Sequence, residues 1–239
     1  MVMVFITPVD RSPFRTVVSA IGAAKRRIGR VYRPLQRRAV GWVFDRGLDT
    51  TRPVTSEDLG LTGARNPYVA SGWFYLRRGL RGWTPTEADV FIDLGSGKGR
   101  VVYQAARYPF GRVVGVELSD ELTAVARGNI ERKRQTLRCK DIQFVTADIT
   151  DFPLPDDATV VYMFNPVGGD LFARAIDNVI ASLDRRPRRV RLIYASPHEE
   201  RIVEATGRFE LLRRSKGVRQ DLALGINVYE SRPQKPWQA

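Results

Sequence analysis

The 239-residue chain has a single cysteine, Cys139, and a single histidine, His198. One thiol excludes an internal disulfide and a cysteine-based zinc site, and it fits a reducing cytoplasm rather than an oxidising compartment. Long hydrophobic runs are absent too. The opening MVMVFITP is apolar but stops at Pro8 and has no basic leader, so neither a signal peptide nor a membrane span is expected. There is no internal repeat and no low-complexity tract, and residues 232–239, RPQKPWQA, read as a loose tail. Lysine is scarce, 6 residues against 33 arginines, a bias that genome base composition can produce without selection for binding.

What is present is enough for one catalytic domain, since 43% hydrophobic content over this length can bury a sizeable core. The most informative stretch is 90–101, VFIDLGSGKGRV. Val90–Leu94 reads as a short parallel strand buried on both faces, and Val101–Ala106 as the start of a helix. Between them Gly95, Gly97 and Gly99 allow a turn tight enough for backbone to approach a ligand. Strand, turn and helix make the first half of a βαβ unit, whose ligands bind beyond the carboxyl ends of the strands. The spacing departs from the dinucleotide pattern G-x-G-x-x-G, because Arg100 stands where the third glycine is expected. A phosphate loop is disfavoured as well, since Lys98 is followed by Gly99 and not by a hydroxyl residue.

Further along, three strands end in polar residues. Val113–Glu117 closes on a carboxylate about twenty residues after the glycines, the place of a ribose-binding acid. Ser119, Asp120 and Glu121 then mark a helix start, with the helix running to about Arg134. Ile142–Val145 is followed by Asp148, and Val160–Phe164 by Asn165-Pro166. A helix over about 169–183, a strand over 190–195 and two last strands over 209–213 and 223–230 complete the pattern.

The acid followed by G-x-G-x-G, at Asp93, Gly95, Gly97 and Gly99, resembles the first motif of class I S-adenosylmethionine-dependent methyltransferases. Locally, IDLGSGKGRVVYQAA looks like the non-SET histone-lysine methyltransferases and their bacterial relatives, a likeness that does not carry the histone substrate. The resemblance covers residues 66–231. It implies an α/β, Rossmann-like sheet of seven mostly parallel strands, helices on both faces and an antiparallel last strand. It further implies S-adenosylmethionine as cofactor, with Asp93 at the methionine end beside the Gly95–Gly99 loop, Glu117 at the ribose and Asp148 at the adenine, with Ser96, Leu118, Ile149, Tyr68 and Asn165 as further cofactor contacts, and with Asn165 orienting the acceptor. Asn165-Pro166-Val167-Gly168 is similar to the tetrapeptide of amino-group methyltransferases but lacks its second proline and aromatic. In that motif an amide side chain and rigid carbonyls accept hydrogen bonds from a target nitrogen.

Residues 1–65 form a separate extension and linker by the same reading. Residues 1–46 carry ten Lys or Arg against two acids, +8 of the net +13. Within them Ile21, Ala24, Ile28, Val31 and Leu35 fall at helical spacing among basic residues, a basic amphipathic helix suited to packing as a lid, to nucleic acid or to a membrane surface. The aromatic segment before the first motif supplies Tyr68 and Trp73 as candidate cofactor or substrate contacts. His198 is a candidate base beside Tyr162, Tyr194 and Asp170, although Ser196-Pro197-His198-Glu199 also spells a helix capping box. The expected reaction is methyl transfer to a nitrogen or oxygen of a small molecule or protein amine. The alternatives are a nucleic-acid methyltransferase, a non-catalytic S-adenosylmethionine-binding protein and a nicotinamide oxidoreductase.

Overall fold

The structure, a computed structural model, describes residues 47–60, 62–215 and 225–232. The basic helix expected over 21–35 and the tail expected over 233–239 lie outside the described residues.

The sheet has seven strands: β1 Val90–Leu94, β2 Arg112–Glu117, β3 Asp141–Thr146, β4 Val160–Phe164, β5 Arg191–Ala195, β6 Phe209–Ser215 and β7 Ile226–Ser231. They lie in the order β3-β2-β1-β4-β5-β7-β6. β3, β2, β1, β4 and β5 pair in parallel, whereas β7 runs antiparallel to both β5 and β6. The three central strands are apolar almost throughout because both of their faces are covered. Alternation of side chains then divides the core in two. Ile92, Leu94, Val161, Met163 and Leu192 pack with Phe172 and Ile176 on one face. Phe91, Val113, Tyr162 and Ile193 pack with Val102 and Phe110 on the other.

Among the described residues the helices are α1 Tyr75–Gly79, α2 Arg100–Ala106, α3 Asp120–Glu131, α4 Gly169–Arg185 and α5 Glu200–Ala205. α3 starts as the sequence predicts: the Ser119 hydroxyl accepts from Leu122 N at 3.2 Å, with Asp120 and Glu121 in the first turn. It ends at Glu131, and Arg134–Thr136 forms a separate 3-10 turn. α1 has no counterpart in the sequence reading, because five residues are too few for a helical period to show. It lies close on β5, where a Cβ at Gly79 would come within 2.5 Å of Ile193.

The capping box expected at Ser196–Glu199 is not formed. α5 begins at Glu200 without a side-chain cap, and the Glu199 carboxylate instead accepts from Gly169 N at 2.9 Å. Ser196 takes φ +54° as the chain leaves β5, and its hydroxyl pairs with the His198 ring at 3.1 Å instead of capping the helix.

Candidate functional site

The strand order reverses between β1 and β4, the switch point at which open parallel sheets leave a crevice beyond their carboxyl ends. A cavity of about 830 Å³, counted to its open mouth, lies there. Gly95, Gly97 and Gly99 all take positive φ, at +83°, +52° and +77°. Closeness explains two of them. A Cβ on Gly95 would sit 2.6 Å from Pro166, and one on Gly97 only 2.3 Å from the Tyr68 ring. Lys98, inside the same turn, is buried; its ammonium reaches Asp49 at 3.2 Å and lies over the Tyr68 ring.

Three acids at the ends of adjacent strands line the cavity. Asp93 is 2% exposed, and its Oδ2 has no hydrogen-bond partner. Burial first, and then the charge of Glu117, push its carboxyl well above the usual range. Glu117 accepts from Gly97 N at 2.8 Å through Oε2 and from Ser119 N at 3.0 Å through Oε1. Burial raises its carboxyl, with the amides of Ser119, Gly97 and Leu118 pulling the other way. Asp148 differs from both. Burial alone would raise it, but the Thr150 amide and hydroxyl and the Arg65 guanidinium together hold it below its ordinary value.

At the end of β4, Asn165 takes φ +44°, uncommon for a side-chain-bearing residue and a form of local strain that clusters at functional sites. Its Oδ1 accepts from the Tyr194 hydroxyl at 3.1 Å, and its carbonyl accepts from Asn66 Nδ2 at 2.7 Å. Nearby, the hydroxyls of Tyr162 and Ser71 are bonded at 2.5 Å, and burial pushes Tyr162 far above the phenol range, so it holds its proton.

Of the residues singled out in the sequence, Tyr68, Asp93, Gly95, Ser96, Glu117, Leu118, Asp148, Ile149 and Asn165 line this one cavity. Gly97 and Gly99 stand behind it and shape the turn. His198 is not brought to the cavity. It is exposed, and its ring bonds back to the hydroxyl and carbonyl of Ser196, which itself takes a left-handed φ. Trp73 is also off the lining, set edge-on against Tyr103 and under the Arg100 guanidinium.

Sequence reasoning missed Arg65, Asn66 and Ser71, which reach the cavity from a strap ahead of α1. The strap is tied across the mouth: Arg65 bridges Val167, Asn66 N donates to Pro166 O at 3.0 Å, and Gly168 N donates to Ala64 O at 2.9 Å. No periodicity marks such a segment. Its one signal is the cluster of turn formers and aromatics around Asn66-Pro67-Tyr68.

Among the described residues no group of three or more His, Cys, Asp or Glu is placed to hold a metal ion, and no helix is long and apolar enough to cross a membrane.

Residues 91–188 match the family model described as a methyltransferase domain. A protein-lysine N-methyltransferase of Saccharolobus islandicus is 36% identical over 101 residues, 41% of this chain and 59% of that protein. The chain therefore spans somewhat over half the length of this curated relative. Among solved structures, an RNA methyltransferase assignment from Pyrococcus horikoshii aligns with TM-score 0.52 at 18% identity, over 83% of this chain and 98% of that one. An rRNA-methylase assignment from Clostridium thermocellum aligns at 0.51 and 12% identity, over 67% and 97%. At these identities the likeness is one of fold.

Proposed function

We propose that this chain, whose residues 91–188 match a methyltransferase domain, is a class I, S-adenosylmethionine-dependent methyltransferase that transfers a methyl group to a nitrogen or oxygen nucleophile of a small molecule or of a protein amine. The observation that carries this reading is the convergence of Asp93, Glu117, Asp148 and Asn165, from the ends of four different strands, on one cavity.

The residues present fit S-adenosylmethionine. Asp93 offers a buried oxygen without a partner beside the glycine turn, the place for a cationic methionine amine. Glu117 stands at the end of β2 for the ribose, and Asp148 with Ile149 at the end of β3 for the adenine. When bound, the cofactor supplies a methyl group already activated by its sulfonium. The work left to the protein is alignment and exclusion of water. Asn165 and Pro166 close the cavity from the β4 side, Tyr162 and Ser71 hold each other's hydroxyls at its wall, and the strap covers its mouth. The relative that acts on protein lysine supports an amine acceptor. The single buried thiol, Cys139, supports a reducing location, the cytoplasm.

A nucleic-acid acceptor is the second reading, favoured by the +8 of residues 1–46. The test incubates the full chain with methyl-labelled cofactor and a cell lysate separated into protein, nucleic-acid and small-molecule fractions. Label in protein or small molecules supports the first reading, and label in RNA or DNA moves the assignment to the second. Binding of S-adenosylhomocysteine without label anywhere makes the chain a non-catalytic binder. Tighter binding of NADH than of S-adenosylhomocysteine in competition calorimetry sinks the assignment altogether.

A further inference from the structure

The oxygens that an acceptor N–H would use at the end of β4 are already engaged by donors of this chain. Asn66 N donates to Pro166 O at 3.0 Å, and Asn66 Nδ2 donates to Asn165 O at 2.7 Å. The Tyr194 hydroxyl donates to Asn165 Oδ1 at 3.1 Å. Its direction is set by the network: Tyr194 accepts from Glu199 N at 3.1 Å, which leaves its own proton for Asn165.

The two donors differ in freedom. Tyr194 is fully buried in β5, stacked on Phe172 with centroids 4.8 Å apart, so it cannot leave without opening the core. Asn66 is exposed and stands at the mouth of the cavity on the strap. Its two bonds resemble those of a substrate: two N–H groups from one residue, placed on two neighbouring carbonyls.

We propose that Asn66 is a specificity-determining residue, an internal stand-in for the methyl acceptor that occupies the carbonyls of Asn165 and Pro166 until an acceptor N–H displaces it; this rests on the methyltransferase reading above. Selectivity follows from the exchange. An acceptor that brings N–H groups replaces the two bonds of Asn66 like for like. One that brings only an oxygen lone pair or an alkyl group must break them without replacement, so the strap stays shut against it. Tyr194 meanwhile keeps the Asn165 amide in one orientation while the strap exchanges.

The test uses the full chain and three ligands: S-adenosylhomocysteine, an aza-adenosyl analogue with an aminobutyl arm in place of the transferable methyl, and the same analogue with a butyl arm. Tethering the amine to the adenosyl group gives it a high effective concentration at the transfer site without knowledge of the natural acceptor. Amide hydrogen exchange at Asn66 and Gly168 is expected to quicken with the aminobutyl analogue and not with the other two. Asn66→Ala is expected to tighten the aminobutyl analogue relative to S-adenosylhomocysteine by about fivefold, the gain from a placeholder bond that need not be broken. An unchanged or lower ratio, or exchange at Asn66 that ignores the amine, overturns the proposal. If the parent chain binds none of the three, the methyltransferase reading itself fails and takes this inference with it.

Discussion

Arg65 and Asp148, 83 positions apart in the chain, form an ion pair at the mouth of the cavity. The pair joins the strap to the end of β3, and with side chains 22% and 19% exposed it is neither screened as a surface pair is nor fully desolvated. Asp148 thereby serves two masters, its own Thr150 turn and a residue from outside the sheet.

Arg65→Ala should release part of the hold on Asp148. A carboxyl held below its ordinary value contributes stability that is present above its unfolded pKa and lost as pH falls through the folded one. Carbon NMR titration of Asp148 should therefore show its midpoint moving up in the variant, and acid unfolding should begin at higher pH. A titration that does not move would mean that Thr150 alone sets this acid.

Asp93→Asn tests the opposite case. Asp93 is raised by burial, so its contribution is full below the ordinary carboxyl value of 3.8 and is lost as pH climbs through the folded pKa. Without cofactor at pH 7 the amide should melt at a higher temperature than the parent. The gain should fade as pH approaches 4, about the range where the free acid is protonated anyway. A lower melting temperature at pH 7 would show that the carboxylate has a stabilising partner.

Glu117→Ala should weaken S-adenosylhomocysteine binding by roughly 1 to 3 kcal/mol, the cost of leaving a buried partner unmade. Because Glu117 also receives Gly97 N and Ser119 N, part of that loss is a loosened glycine turn. Calorimetry on a variant that keeps its fold is decisive, and unaltered affinity would remove Glu117 from the site.

Gly97→Ala should cost roughly 1 to 3 kcal/mol of stability, from an unfavourable φ together with a collision with Tyr68. Adding Tyr68→Ala separates the two in a double-mutant cycle. The collision should be relieved and the backbone strain should persist. Simple additivity of the two changes would mean that ring and turn are not in contact.

Much of the fold was legible because the central strands are short, apolar and bounded by turns. β1 and β4 begin and end where the sequence places them, and the three strand-ending acids could be found by counting from the glycines. What was not legible depended on residues far apart in the chain. Arg65 and Asn66 belong to the site only because their strap crosses the ends of β3 and β4, and nothing in their own spacing announces a partner about a hundred residues away. Ser196–Glu199 failed for a related reason. A capping signal reads as one until its own first residue turns left-handed and the carboxylate finds another helix start. His198 was drawn into the sequence reading by being the one histidine, and residue type gave no information on which way it faces.

The antiparallel edge of the sheet bears on how the domain can be cut. The segment that matches the family model stops at Arg188, three residues before β5. Excised there, β4 would lose its β5 partner and present Val160, Val161, Tyr162 and Met163 along an open, apolar strand edge, a template for aggregation. The same cut would remove Tyr194 from Asn165, and starting the fragment at Phe91 would remove Ser71 from Tyr162. The stretch that matches the methyltransferase domain is thus not by itself a folding unit. A fragment meant for expression should start no later than Leu48 and run through β7.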